Sequence, residues 1–141
     1  GCGNYDQLWS TTSLRGVIVG DLSIDVMSEG IHSGNGGGVV PSAFQILRNL
    51  LDRFENLQSG EIYHPAFKVE IPKARMEQAQ KAGHVLKDSI QHTYPLLSNV
   101  NMVCQEIEDI ILNRTWKASL AVTGMDGLPP TQNAGNVLVP Q

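Results

Sequence analysis

The chain has little that would brace it covalently. Two cysteines, Cys2 and Cys104, stand in 141 residues without a CxxC partner. That is too few for a disulfide framework, so a reducing, cytoplasmic setting is expected. No apolar run reaches the ~18 residues a membrane helix needs. No leader with a basic start and an apolar core is visible. Basic residues are scattered, and ten Lys and Arg against fourteen Asp and Glu give a net charge of −4. Without a basic cluster, neither nucleic acid nor an anionic membrane is an expected partner. Also missing are a G-x-S-x-G elbow, an evident Cys–His nucleophile pair and the lysine of a P-loop. His32, His64, His84 and His92 share no metal-ligand spacing, and Glu106, Glu108 and Asp109 read as a solvated helix face, so no metal site is expected. What remains is 41% apolar and 17% charged residues, which is the balance of one globular domain. Both ends read as cut, which predicts an excised piece of a longer protein.

Elements follow from periodicity. Over residues 14–27, Ile18, Gly20, Leu22, Ile24 and Val26 alternate with Asp21, Ser23 and Asp25, which predicts a strand with one buried face. Val40, Ala43, Phe44, Leu47, Leu50, Leu51 and Phe54 share one helical face. That helix should carry Pro41 in its first turn, stop near Asn56 and pack its stripe on a sheet. Residues 55–73 read as a loop, 73–91 as a weakly amphipathic helix and 101–112 as a third helix. Residues 116–123 alternate again, and a last strand begins at Asn136. Strands separated by helices predict an α+β fold, with a sheet layered against helices.

The densest signal is His32-Ser33-Gly34-Asn35-Gly36-Gly37-Gly38, where four of the last five residues are glycine. Glycine permits positive φ and close approach to another group. The segment leads into the first helix, so it reads either as a cradle for an anion or as a tight strand-to-helix turn capped by Ser33. His32 at its mouth is either a structural imidazole or a donor to a developing oxyanion.

The same residues resemble the M20 family of zinc aminoacylases, carboxypeptidases and dipeptidases, whose lid or dimerisation domain carries an H-S-G-x-x-G-G turn. Gly34, Gly37 and Gly38 match its glycines. Gly124-Met125-Asp126-Gly127 is similar to the family's G-x-x-G turn, and Asn136-Val137-Leu138-Val139-Pro140 to its N-V-I-P-type strand. The insert carrying Asn113-Arg114-Thr115-Trp116 is similar to the carnosine-type and non-specific dipeptidase branch. The resemblance spans roughly residues 10–141. It implies a ferredoxin-like antiparallel sheet with helices on one face, incomplete here. Residues 1–12 would be a tail of the preceding catalytic domain or a linker. Residues 13–141 would be the lid, with a helical insert at about 55–113.

The resemblance also implies a division of labour. Zinc would be held by a separate catalytic domain outside this chain, whose own fragment should be inactive. His32 would reach the partner's active site in a homodimer and hold the carbonyl of a peptide or N-acyl amino acid as it becomes an oxyanion. Asn136 would bind the substrate. The competing expectation is a non-enzymatic α+β module for interaction or small-ligand binding.

Overall fold

The computed structural model describes residues 3–141, so Cys2 lies outside the described residues. Among the described residues the fold is a small α+β domain of four helices and one two-stranded antiparallel sheet. The elements run β1 (Ile31–His32), α1 (Ser33–Gly36), α2 (Ala43–Phe54), α3 (Lys73–Gln91), α4 (Ile107–Thr115) and β2 (Val137–Leu138). Single 3-10 turns lie at Pro65–Phe67 and Thr131–Asn133.

The sheet ties the two ends of the described chain together. Ile31 pairs with Leu138 and His32 with Val137. The Ser33 amide donates to the Asn136 carbonyl at 2.7 Å, and the Val26 amide to that of Pro140 at 2.8 Å. The strand expected from Asn136 therefore forms, at Val137–Leu138. Two other expected strands do not. Residues 14–25 and 116–123 are in no ladder. Alternation marks a segment fit for a half-buried sheet, but a strand exists only where a second backbone supplies its hydrogen bonds. Here residues 14–22 stay in the open, with Leu14 86% and Val19 89% exposed. The link between the two segments is a side chain. Arg15 Nη1 donates to the carbonyls of Asn113 and Lys117 at 2.9 and 3.0 Å, and to Ser119 Oγ at 3.1 Å. A guanidinium thus satisfies a carbonyl near the end of α4.

The core is richest on α3 and α4, which pack on each other, and Ala43 and Ile62 are buried as well. Ala79, Gly83, Ile90 and Ile110 are buried. Gly83 lets the helices close up, because a Cβ there would stand 3.0 Å from Ile107 Cγ2. α3 spans the expected residues. α4 starts later than expected, at Ile107, because Glu108 and Asp109 then fall in its first turn and Arg114 in its last. That charge order suits the helix dipole.

α2 is shorter than expected. Ser42 caps it, its Oγ accepting from the Gln45 amide at 3.4 Å, so Pro41 precedes the helix rather than opening it. Its apolar stripe is not laid on a sheet, and Phe44, Leu50 and Phe54 remain exposed. The residues after it are more ordered than a loop. Glu55 bridges to the buried Ile62, and Phe54 and Phe67 stack at 5.4 Å. Asn56 Oδ1 accepts from the amides of Gln58 and Ser59 to close the turn between them. Lys68 Nζ donates to Glu61 Oε1 at 2.8 Å and holds that carboxyl below its usual range. A carboxyl lowered in this way stabilises the fold above its unfolded value and loses that contribution as pH falls through the folded one. Both side chains are exposed, so the contribution is small.

Candidate functional site

β1 ends at His32, and the chain turns at once into the single helical turn α1. The cap of that turn is His32 and not Ser33, which lies inside it. His32 Nδ1 accepts from the Gly34 amide at 3.0 Å. A ring nitrogen two residues back reaches an amide that a short helix would otherwise leave unpaired. Sequence reasoning favoured the serine because hydroxyls lead at such positions. A ring followed two residues later by an amide with no side chain in the way carries no separate sequence signal.

Gly34, Gly37 and Gly38, three of the four glycines of the turn, do different work. Gly38 alone among them takes positive φ, at 78°. Gly34 lies directly against the imidazole, where a Cβ would stand 3.0 Å from both Cε1 and Nδ1 of His32. Gly37 closes the turn by donating to the Ser33 carbonyl at 2.8 Å, and a Cβ on it would come within 2.7 Å of that oxygen. The expected release through positive φ therefore applies to one residue, and close approach accounts for the other two.

Asn136 comes to the histidine through the sheet. The register that sets His32 opposite Val137 puts Asn136 beside the start of α1, where its carbonyl receives the Ser33 amide. Its Nδ2 then stands 3.4 Å from His32 Nε2, across 104 residues of sequence. Both residues are exposed. With Nδ1 engaged as an acceptor, the neutral ring carries its hydrogen on Nε2. Asn136 Nδ2 thus lies 3.4 Å from the nitrogen that carries this hydrogen, and an acceptor oxygen between them would bridge the two N–H groups. The opposite amide rotamer of Asn136 would instead turn Oδ1 onto the Nε2–H, and a ligand oxygen would compete with that internal bond.

The nearby open groove, about 390 Å³, is lined by Gly38, Val39, Ser42, Gln45 and Leu138 among others, and neither His32 nor Asn136 borders it. The site is the donor pair on the surface, not a cavity. The other histidines stay apart from it. His64 caps the 3-10 turn at Pro65–Phe67, and His92 Nδ1 lies 2.7 Å from the Asp88 carbonyl. Cys104 is half-buried, its sulfur accepting from Asn113 Nδ2 at 3.2 Å. Among the described residues no group of three or more His, Cys, Asp or Glu is placed to hold a metal ion. Among the described residues no helix is long and apolar enough to cross a membrane.

No family model and no curated protein matches the chain. Its fold is similar to that of a solved dipeptidase, Dug1p from Saccharomyces cerevisiae, with a TM-score of 0.55 and 21% sequence identity. The match covers 82% of this chain but 24% of the dipeptidase, so the chain spans about a quarter of that protein. At that identity the likeness is one of fold alone, that of a small α+β domain.

Proposed function

We propose that the chain is the lid or dimerisation part of an M20-type peptidase, acting on a peptide or N-acyl amino-acid amide bond. The observation that carries this reading is the approach of Asn136 Nδ2 to His32 Nε2 at 3.4 Å. The fold likeness to a dipeptidase and the His32–Gly38 and Asn136–Pro140 motifs support it. In this reading the zinc and the general base belong to residues outside the chain. A homodimer brings His32 into the partner's active site, and the enzyme works in the cytoplasm.

This chain would contribute binding and charge stabilisation. A scissile carbonyl entering the pair receives a hydrogen bond from Nε2–H and another from Nδ2–H. Both strengthen as the oxygen gains negative charge, which lowers the barrier rather than merely tightening binding. The competing module reading, with His32 structural, has the Gly34 cap in its favour. Two substitutions separate them. His32→Asn can still cap Gly34 through its carbonyl oxygen but lacks Nε2, whereas His32→Ala loses both. In the longer metal-bearing polypeptide, both should lower kcat ~10²–10³-fold, the usual cost of an oxyanion donor. Near-parental kcat in His32→Asn would leave the histidine a cap and nothing more.

A further inference from the structure

The Nδ1 atoms of three histidines sit in contrasting hydrogen bonds. Nδ1 of His32 faces the Gly34 amide at 3.0 Å, and Nδ1 of His64 faces the Ala66 amide at 3.2 Å. Nδ1 of His92 faces the Asp88 carbonyl oxygen at 2.7 Å. A backbone amide only donates, and a carbonyl only accepts. His32 and His64 must therefore keep Nδ1 bare and, when neutral, hold hydrogen on Nε2. His92 must hold it on Nδ1.

We infer that Gly34 is a positioning residue that locks neutral His32 in the Nε2–H tautomer and so makes it a donor rather than a base. Two features of one residue act together. The Gly34 amide occupies Nδ1. Its missing side chain lets the ring lie over it, because a Cβ would press on Cε1 and Nδ1 at 3.0 Å. An alanine there would push the ring by a few tenths of an ångström. That weakens the bond and moves Nε2 relative to Asn136.

The lock has a consequence for recognition. A neutral His32 in this tautomer offers no lone pair at Nε2, so its ring selects an acceptor oxygen, as in a carbonyl, carboxylate or oxyanion. It discriminates against an ammonium or N–H group, which would meet a donor head-on. This inference deepens the proposed function and rests on it for its catalytic sense. The tautomer itself does not depend on any activity.

The test is long-range ¹H–¹⁵N correlation on the ¹⁵N-labelled chain without substrate, above the pH at which its histidines are charged. His32 and His64 should show a bare Nδ1 and a protonated Nε2, and His92 the reverse. A ¹⁵N–¹⁵N coupling through the hydrogen bond should join the Gly34 amide to His32 Nδ1. In Gly34→Ala that coupling should be lost, and the difference between the two His32 nitrogen shifts should shrink toward that of a free imidazole. His64 should not change. A wild-type His32 protonated at Nδ1 overturns the inference, as does a Gly34→Ala chain with coupling and tautomer intact. If Gly34→Ala does not fold, the wild-type tautomer and coupling decide alone. A locked tautomer together with unaltered kcat in the His32 variants would retain the lock and refute the catalytic role of His32, so the two failures are distinct.

Discussion

α2 and α3 invert the usual relation between pattern and burial. α2 carries the strongest apolar stripe in the sequence, yet Phe44, Leu50 and Phe54 remain exposed, Ala43 alone of its residues is buried, and no α-helix or named strand packs on it. α3 is only weakly amphipathic, and it is the helix whose residues are sealed against a neighbour. The difference lies in the size of the contact residues. Ala79 and Gly83 let α4 come close, so that Ile90 and Ile110 are covered on all sides. Large residues on α2 would bury more area, but only against a surface of matching size. A stripe therefore predicts that a helix forms and which side wants cover, while small residues decide how closely two helices meet.

The comparison breaks most visibly at Ile90, which is 2% exposed. Ile90→Ala should lower unfolding stability by about 2–5 kcal/mol, the range for truncating a buried isoleucine. A loss below about 1 kcal/mol in urea melts would mean that the α3–α4 contact is not the core. Next comes Gly83→Val, which sets branched carbons against Ile107 and Glu108. Overpacking of this kind costs about 1–3 kcal/mol. Thermal melts of Gly83→Val at or above wild type would show that the helices separate without penalty.

Leu50→Ala should have the smallest effect, about 1 kcal/mol or less, because Leu50 is already 37% exposed and has little burial to lose. This measurement also sharpens the comparison. A larger loss that grows with protein concentration would show that a second copy covers the α2 stripe, as the proposed homodimer would allow. A larger loss independent of concentration would mean that α2 packs within its own chain, against the arrangement described here.

The sequence is legible where information is local. Helix α3 spans its expected residues because a long run of helix formers ends at Tyr94-Pro95. The last strand lies where Asn136 predicts it. The start of α4 is missed because its register follows the acidic residues at the N-terminus rather than the apolar spacing. The strands at 14–27 and 116–123 are misread because alternation is a statement about one chain, and pairing is a statement about two. In the site, His32, Gly34, Gly37, Gly38 and Asn136 all stand out as a turn and a strand. The histidine cap does not, because hydroxyl caps are the common case and a ring reaching back over a glycine leaves no separate signature.

The sequence by itself determines the mixed α+β character, the positions of α2 and α3, and the glycine turn with its histidine. These depend on side-chain volume and backbone freedom within a few residues, and such preferences hold in any context. Only the tertiary structure decides that Asn136 meets His32 across 104 residues, that α3 rather than α2 is buried, and that Nδ1 of His32 is already occupied. Each of these depends on which distant backbone comes alongside. The β1–β2 register settles the first, the small residues of α3 settle the second, and a missing Cβ at Gly34 settles the third.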